Sequence, residues 1–327
     1  MDRRVTIADV ARAAGVSAAT VSRALSNPGR VNPETLASVR KVADALGYRS
    51  HLHAARVSRR GQVIVVMVTL SENSFYLRTL RAIERSAAAW GASIVIMDAR
   101  EDARTQDMLI ARVGQLADGA ILISPRLTDR AILELARRLP TVVLNRQVRG
   151  VPSVVQNSVQ GMGFAVRHLV ALGHTEISHV TGHRQARIAG ARLRALEQVC
   201  RASGVQLRSV AGDGTFAGGV EAAVQWAVRP TSAVLCFNDE SAIGFVHSAV
   251  EQGFRVPEDV SVIGMGDNAF SVALRPPLTT IGFSASAQAT AVVQRLFGSS
   301  PTQGEVVVPM RLIVRGSTGV VSAGRSS

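Results

Sequence analysis

The chain has 327 residues, enough for two or three domains, and its 47% hydrophobic and 19% charged residues are typical of a folded protein rather than a disordered one. No apolar run approaches the roughly 18 residues that a membrane-spanning helix needs, and the polar N-terminus is unlike an export signal. These features predict a cytoplasmic protein without a membrane partner. Cys200 and Cys236 form no CxxC pair and have no histidine cluster beside them, so neither a disulfide framework nor a metal site is expected.

The net charge of +13 is concentrated at the N-terminus, and arginine supplies nearly all of it, since Lys41 is the only lysine. Residues 1–60 carry eleven basic and four acidic side chains, a net of +7, which leaves about +6 for the far longer remainder. A small, strongly basic segment is typical of a nucleic-acid-binding region, because each cation placed near a phosphate releases counterions.

The first predicted elements are two short helices joined by a tight turn. Thr6 can cap the first helix, with Asp9 favouring its positive end, and Gly15 ends it because glycine accepts a left-handed backbone. Ser17 can cap the second helix. The pattern is that of a helix-turn-helix, whose second helix can enter a DNA major groove, although an ordinary helical hairpin has the same periodicity.

A third helix is predicted from Pro33 to about Leu46, where it would close a three-helix core. Residues 48–60 are basic and weakly helical, which by itself indicates a flexible, solvated linker. We therefore divide this part of the chain into a helix-turn-helix DNA-binding head, residues 1–49, and a linker, residues 50–61.

From Gln62 onward, short apolar runs alternate with amphipathic helical runs. The predicted strands are Val63–Val68, Ser93–Met97, Ala120–Ile123, Thr141–Leu144, Ile177–Thr181, Ala233–Phe237 and Val260–Ile263. The predicted helices lie near Leu77–Trp90, Thr105–Leu116, Asp129–Arg138, Val159–Leu172, Arg187–Ala202, Gly218–Val228 and Ser241–Gln252. Apolar strands separated by helices indicate parallel sheets covered on both faces. We predict an α/β region of two doubly wound parallel-sheet lobes, with a ligand cleft beyond the carboxyl ends of their strands.

Several blocks of residues along the chain form specific sequence patterns. The first is Thr6-Ile7-x-Asp9-Val10-Ala11, Ala14-Gly15-Val16-Ser17, Thr20-Val21-Ser22-Arg23 and Leu25. Further blocks lie at 73–76, 118–121, 168–174, 230–239, 256–264, 276–281 and 312–318. At this spacing the chain resembles the lactose-repressor/galactose-repressor family of bacterial transcription regulators, and the resemblance spans residues 5–318.

The resemblance implies a periplasmic-binding-protein-like fold in which the chain crosses between the lobes three times, near residues 160, 282 and 309. Residues 62–327 would form an effector-binding and dimerisation domain. Its first lobe would comprise about 62–160 and 282–308, and its second about 161–281 and 309–327. The implied protein is a homodimeric, ligand-controlled transcriptional repressor that reads a pseudo-palindromic double-stranded DNA operator. It would catalyse no reaction and need no cofactor.

On DNA, the resemblance places Ala18, Ala19 and Arg23 toward base edges. Arg23 can pair with a guanine through two hydrogen bonds, with a plain phosphate contact or a surface salt bridge as the alternatives. The alanines can offer only methyl groups, so specificity would also depend on DNA shape. The remaining residues of the predicted interface, at the helix starts and nearer phosphates, are Thr6, Ser17, Thr20, Ser22 and Asn27.

The family uses a hinge helix after the head, in which a leucine wedges between base pairs in the minor groove. Here Val57 occupies the wedge position, and Ser50 and Ala55 also depart from the family pattern. Val57 is predicted to contact DNA, but its side chain is shorter and β-branched, so the sequence does not decide whether it kinks the DNA.

In the cleft, the resemblance implies contacts to a carbohydrate-derived effector: a sugar, a sugar acid or a sugar phosphate. Phe75 and Phe216 can stack on a ring or carbon chain, although such residues are more often part of a core. The Arg187 guanidinium can donate two hydrogen bonds at once to hydroxyls or to a carboxylate. The residues that can bond vicinal hydroxyls are Asn145, Asn238 and Asp267. Asn238 can equally cap the helix that follows it.

Three departures from the family pattern fall in this cleft. Gly266 stands where the family has the first of two aspartates, and Gln156 stands where it has the aspartate of an Asp-Asn pair. The segment 182–187 is shorter than usual before Arg187. The identity of the effector, and whether it releases DNA or promotes its binding, are therefore left open.

Enzyme and metal interpretations have little support. There is no Walker A sequence and no Gly-x-Ser-x-Gly, and the segment 161–163 lacks the third glycine of a dinucleotide fingerprint. His168, His174 and His179 are interpreted as structural. Two rivals stay open: a cytoplasmic sugar-binding protein that does not bind DNA, and a regulator with a vestigial cleft that a protein partner controls.

Overall fold

The computed structural model describes residues 6–26, 31–46, 62–68, 74–98, 117–184, 186–298 and 304–321. Its contacts divide the chain into two compact units, which we call the head (Met1–Gln62) and the body (Val63–Ser327). Asn27, the whole predicted linker 50–61 with Val57, and the predicted helix Thr105–Leu116 lie outside the described residues.

Three helices make up the described part of the head: α1 (Ile7–Ala14), α2 (Ala18–Ser26) and α3 (Pro33–Leu46). Thr6 begins α1 with a capping box, in which Thr6 Oγ1 accepts from the Asp9 amide and the Asp9 carboxylate accepts from the Thr6 amide. Gly15 ends α1 at φ 68°, a left-handed conformation that costs glycine little. The core residues, all buried, are Val10, Ala11, Val21, Ala24, Val39 and Ala43.

The body contains two six-stranded sheets, each with helices on its faces. The first lobe is formed by β1 (Gln62–Val68), α4 (Ser74–Ala88), β2 (Ala92–Asp98), β3 (Gly119–Ile123), α5 (Asp129–Arg138), β4 (Thr141–Leu144), β5 (Ser153–Gln156), α10 (Ala285–Phe297) and β11 (Glu305–Val308). Its strand order is β11-β5-β4-β3-β1-β2, and β1, β3, β4, β5 and β11 pair in parallel. Side chains from both faces of this sheet are buried in separate clusters, as a doubly covered sheet requires.

The second lobe repeats the arrangement. It is formed by α6 (Ser158–Ala171), β6 (Glu176–Val180), α7 (Arg187–Ala202), β7 (Gln206–Val210), α8 (Phe216–Ala227), β8 (Ala233–Cys236), α9 (Asp239–Glu251), β9 (Ser261–Met265), β10 (Thr279–Phe283) and β12 (Met310–Ile313). The strand order is β12-β10-β9-β8-β6-β7. Here β12 runs antiparallel to β10, so this sheet is parallel except at one edge. Cys200 and Cys236 are buried, unpaired thiols in this lobe.

The chain passes between the lobes at three places, each of which is a single residue. Asn157 links β5 to α6, Ser284 links β10 to α10, and Pro309 links β11 to β12. Asn157 and Ser284 each cap the helix that follows, through side-chain oxygens that accept from Gln160 and Ala287 amides. The crossings are therefore short and fixed by hydrogen bonds.

The predicted fold class, a helix-turn-helix head followed by two doubly wound α/β lobes, is confirmed. Within the described residues, each predicted strand and helix of the body is present, with ends that differ by up to three residues. The apolar pattern did not identify β5, β7, β10, β11, β12 or α10. These strands have four or five residues each, and β7 and β11 expose several side chains at sheet edges, so they lack a long apolar run.

Candidate DNA-reading helix and effector cavity

The helix α2 presents its predicted DNA-contacting residues away from the core of the head. Val21 and Ala24 are buried, whereas Ala18, Ala19 and Arg23 are exposed. The Nε of Arg23 makes one long contact, 3.4 Å, with the Ala19 carbonyl one turn back in the same helix. The Arg23 guanidinium is therefore available to a partner outside the head.

The start of α2 is fixed by Ser17, whose Oγ accepts from the Thr20 amide at 3.1 Å and lies 2.9 Å from Thr20 Oγ1. Ser22 is half-buried and Thr6 is exposed beside Asp9. The other two predicted DNA contacts, Asn27 and Val57, lie outside the described part of the chain. For the whole predicted DNA interface, the DNA contacts themselves stay a prediction.

In the body, a cavity of about 720 Å³ opens at the carboxyl ends of strands from both sheets. Ser124 and Asn145 follow β3 and β4 of the first lobe, while Phe237, Asn238 and Gly266 follow β8 and β9 of the second. Ligands of open parallel α/β sheets bind at this edge, since loops there are free to vary while the strands are fixed. The cavity is large enough for a small organic molecule.

Five of the six predicted effector residues line this cavity: Phe75, Asn145, Arg187, Phe216 and Asn238. Phe75 is half-buried and lies 5.4 Å, ring centre to ring centre, from Phe283, so it packs with the core as well. Phe216 is 45% exposed and its ring is available to a ligand. Asn145 is buried at φ 63°, with its amide close to Ser124 and Gln288.

Asn238 fulfils the capping role that the sequence left as an alternative. Its Oδ1 accepts from the Ser241 amide at 2.9 Å, which begins α9, and its Nδ2 donates to the Gly214 carbonyl at 2.7 Å. The second N–H of the Asn238 amide has no acceptor among the described residues. Asn238 therefore both shapes the cavity wall and keeps one donor for a ligand.

Asp267 is the one predicted effector residue that is not part of the lining of this cavity. Its carboxylate accepts from Arg315 Nη2 at 2.6 Å in an ion pair, and its side chain is not among those that line the cavity. The backbone at Asp267 has φ 56°, and this left-handed turn carries the side chain toward β10 and away from the cavity. The neighbouring Asn268 lines the cavity instead.

The cavity also holds a set of arginines that the sequence analysis missed. Arg78, Arg81 and Arg85 lie at positions i, i+3 and i+7 of α4, which puts them on one face of the helix. Arg126, Arg146 and Arg192 line it as well. The i, i+3, i+7 spacing after Phe75 was the available sequence signal; the other three are brought together only by the tertiary fold.

Arg146, from the first lobe, is buried beneath the cavity. Its Nη1 donates to the carbonyls of Pro125 (2.9 Å) and Leu127 (2.6 Å), and its Nη2 pairs with Asp129. Burial lowers the pKa of Arg146, and the nearby positive charge of Arg187 lowers it further. Two cations on opposite lobes therefore act on each other across the cavity.

Arg192 is buried in the second lobe, with 7% of its surface exposed. Its Nη1 donates to the Phe237 carbonyl and its Nη2 to Gln156 Oε1, each at 3.0 Å, and its guanidinium carbon lies 4.8 Å from the centre of the Phe237 ring. Burial lowers its pKa to about 10, because the charged form is poorly solvated there. At neutral pH this side chain is a buried cation.

Asp239, beside Asn238, ties together three segments around the cavity. It is fully buried and accepts from Thr280 Oγ1 (2.6 Å), the Asn268 amide (2.7 Å) and Ser271 Oγ (2.8 Å). Burial raises the pKa of this carboxyl despite those donors. The network fixes the loop after β9 that forms one wall of the cavity.

The three histidines singled out in the sequence occupy structural positions. His168 contacts Thr318 Oγ1 at 2.9 Å, and His174 contacts Ser232, Ser261 and the Gly319 carbonyl. His179 is buried, with its Nδ1 2.8 Å from the Leu235 carbonyl. Over the described ranges, His, Cys, Asp and Glu side chains form no group of three that could hold a metal ion. None of the described helices is long and apolar enough to cross a membrane.

Comparison with known proteins places this geometry in a family. The model of bacterial regulatory proteins of the lacI family matches residues 6–51, and that of the periplasmic binding protein-like domain matches residues 166–318. The transcriptional repressor CytR of Escherichia coli K12 is 31% identical over 327 residues, which cover 96% of both chains. The chain belongs to the LacI family. Its relatives are transcriptional regulators rather than enzymes.

Two further members of the LacI family are informative. The ribose operon repressor of Escherichia coli K12 is 30% identical over 287 residues, covering 84% of this chain and 87% of the relative. The lac repressor dimer bound to operator and the anti-inducer ONPF has 27% identity and a TM-score of 0.74, and the match covers 97% of this chain and all of that one. A head and a two-lobed body in this order are thus a shared family architecture.

Proposed function

We propose that this LacI-family protein is a homodimeric, sequence-specific repressor whose operator affinity is controlled by a small carbohydrate-derived effector bound between the two lobes. In each head, the helix-turn-helix segment, residues 1–49, would read one half of a pseudo-palindromic DNA site, and residues 50–61 would link this segment to the body. The observation that carries the proposal is the cavity at the carboxyl ends of both sheets, which brings together five side chains suited to a polyol.

The DNA-binding part of the proposal is supported by the exposed face of α2 and by the basic head. Arg23 projects from that face, and the family matches include a dimer solved on its operator. A protein that bound sugars without binding DNA would have no use for this arrangement. A dimer is favoured because two heads that bind the two halves of one DNA site double the number of phosphate and base contacts.

The effector part is supported by the cavity's chemistry. Phe216 offers an exposed ring, Asn145 and Asn238 offer amides, and Arg187 offers a guanidinium at the start of α7. Among the relatives, one represses a ribose operon and another was solved with an anti-inducer. A ligand that contacts both lobes shifts the equilibrium between open and closed states only by its differential affinity for them.

The test begins with selection of an operator from random DNA by the full-length protein, followed by a thermal-shift screen of sugars, sugar acids and sugar phosphates. A hit should then change operator affinity in the wild-type protein. Arg187→Ala should abolish that change while leaving the DNA affinity without effector nearly unaltered. Arg201→Ala, an exposed residue of the same helix outside the cavity, should respond like the wild type.

Two results would contradict the proposal. Failure to select any DNA sequence would favour a sugar-binding protein without a DNA target. The vestigial-cleft alternative would be favoured if an operator is selected and no small molecule alters its affinity, while a protein partner does alter it.

A further inference from the structure

The cavity carries an excess of positive charge. Its described lining includes seven arginines but two carboxylates, those of Asp213 and Glu240. Both carboxylates are engaged within the protein: Asp213 accepts from the Thr215 amide and hydroxyl at 2.8 and 2.7 Å, and Glu240 accepts from Asn268 Nδ2 at 3.3 Å. Asp129, which is outside the lining, pairs with Arg146, so arginines still outnumber carboxylates around the cavity and a neutral sugar would leave this excess in place.

The sequence departures in the cleft account for part of that excess. Gln156 stands where the family pattern has an aspartate, and its neutral Oε1 is the atom that accepts from Arg192. Gly266 stands where the pattern has the first aspartate of an Asp-Asp pair, and Arg78 donates to the carbonyls of Gly266 and Asp267. At both places an arginine that lines the cavity meets an uncharged oxygen instead of a carboxylate.

Arg192 is a buried cation in this cavity wall that lacks a carboxylate partner. It is more than nine-tenths buried, two of its five N–H groups have acceptors, and its Nε has none. Within the described part of the chain it forms no ion pair, and the carboxylate that acts on it electrostatically, Asp239, is already bound by three donors. A buried cation without a counter-charge is costly unless a ligand supplies one.

The start of α7 adds to this positive field. The helix has 16 residues, and Ala186 at its N-cap provides no side-chain acceptor for the first amides. Ala186, Arg187 and Ile188 all line the cavity, so the positive end of the helix faces it. Neighbouring helices differ in this respect, because Thr215 caps α8 and Asn238 caps α9 with their own side chains.

We propose that the effector carries an oxyanion, a phosphate or a carboxylate on a carbohydrate, and that this group binds between Arg187 and Arg192 at the start of α7. Arg78 and Arg146 line the same cavity from the first lobe. The inference rests on the proposed function and names the chemical class of its ligand.

The position of the anion also explains how it would move the lobes. Arg146 belongs to the first lobe and Arg187 to the second, and both line the cavity, so like charges approach it from opposite lobes. An anion placed between them attracts both, so its binding favours closure over the open state. A neutral sugar would leave the repulsion in place.

The decisive probe is inorganic phosphate, titrated into the full-length protein at constant ionic strength against sodium chloride. Binding is followed by thermal shift and by the fluorescence of Trp90 and Trp226, which both lie in the body. Phosphate should stabilise the wild type beyond chloride. Gln156→Glu places a carboxylate beside Arg192 with little change in shape and should weaken phosphate binding by about tenfold or more, because it supplies the missing counter-charge internally.

Two further variants make the result specific. Gln198→Glu makes the same charge change at an exposed position of α7 outside this cavity and should bind phosphate like the wild type. Arg187→Met removes the exposed cation at the helix start, where loss of folding is not expected, and should also weaken phosphate binding. Equal responses of the wild type to phosphate and chloride, or unchanged binding by Gln156→Glu and Arg187→Met, would overturn the inference.

A second arm separates the two sources of the oxyanion and separates the inference from the proposed function. Ribose, ribose 5-phosphate and ribonate share one carbon skeleton, so a preference for either charged form over ribose identifies phosphate or carboxylate as the better group. If a neutral sugar changes operator affinity and no anion binds, the proposed function stands and the anionic effector is wrong. If anions bind but operator affinity never responds to a small molecule, the inference about the site stands and the regulatory proposal is wrong.

Discussion

In the head, Arg23 is exposed on α2 and its nearest partner is the Ala19 carbonyl of the same helix. In the body, Arg192 is buried and its partners, Gln156 and Phe237, come from the ends of two different strands. The first arginine takes its surroundings from residues within one helical turn. The second takes them from residues 36 and 45 positions away along the chain.

The difference shows where each function is encoded. In the head, local spacing decides which side chains face outward, since a helix repeats every 3.6 residues. In the body, the charge balance of the cavity depends on which loops the two sheets bring together. A local motif can therefore identify a DNA-reading helix, whereas the ligand class follows from tertiary contacts.

The largest expected effect is a loss of stability of the body at acidic pH, caused by His179 in β6. This histidine is buried, its Nδ1 lies 2.8 Å from the Leu235 carbonyl, and burial lowers its pKa to about 4. The unfolded chain takes up a proton near pH 6.5, so the folded state loses stability as the pH falls from about 6.5 to 4. The loss should reach about 3 kcal/mol.

Urea unfolding of the body at pH 7 and pH 4.5, followed by tryptophan fluorescence, checks this prediction. His179→Gln removes the titration and should lose clearly less stability over that interval than the wild type. His247→Gln, at an exposed histidine of α9, is the matched control and should retain the wild-type loss. The described helices of the head contain no histidine, so their stability should lack this contribution. Equal acid sensitivity of His179→Gln and the wild type would contradict the assignment.

A smaller effect is expected from Arg23→Ala in the head. If Arg23 reads a base edge, the substitution should cost roughly 1–3 kcal/mol on the selected operator and much less on random DNA. Arg12→Ala is the control, because Arg12 is an exposed residue of α1 paired with Asp9. Fluorescence anisotropy with both DNAs at one salt concentration gives the comparison, and an equal loss on the two DNAs would show that Arg23 contacts only phosphate.

The smallest expected effect is a loss of stability when the same helix cap is removed, once in the head and once in the body. Thr6 caps α1 in the head and Thr128 caps α5 in the body, each accepting from an amide three residues on. Thr→Ala at either position should cost about 1 kcal/mol. Because the head is far smaller, this loss should lower its melting temperature by about 4–8 °C and that of the body by about 2–4 °C or less.

Scanning calorimetry of each variant checks the prediction, with tryptophan fluorescence assigning the transition of the body. A shift of the body's transition by Thr6→Ala equal to that by Thr128→Ala would show that the two units unfold as one. The pair therefore also measures how independent the head is of the body.

The sequence predicted much of the fold for identifiable physical reasons. Helix caps such as Thr6 and Ser17, and apolar strands such as β3 and β4, are set by neighbouring residues. Phe216 and Arg187 were named by the family resemblance rather than by local spacing, and both line the cavity at the starts of helices. The confirmed family resemblance contributed the order of the lobes.

The rest could not be predicted because it depends on three-dimensional proximity. Asp267 has a residue type suited to hydroxyls, but an arginine 48 positions later takes its carboxylate. Arg192 gave no sequence signal, since its importance arises from its burial and from the neutral partner Gln156. Charge pairs of this kind become visible only when the loops are assembled.

The three single-residue crossings have a mechanical consequence. Asn157, Ser284 and Pro309 lie side by side, since the Asn157 amide donates to the Val308 carbonyl at 2.9 Å and Phe283 pairs with Met310. Consecutive Cα atoms are about 3.8 Å apart, so none of these connections can stretch to let one lobe slide past the other. The three crossings therefore act together as one hinge at one edge of the body. A small rotation of one lobe about this hinge displaces most the residues that lie farthest from it.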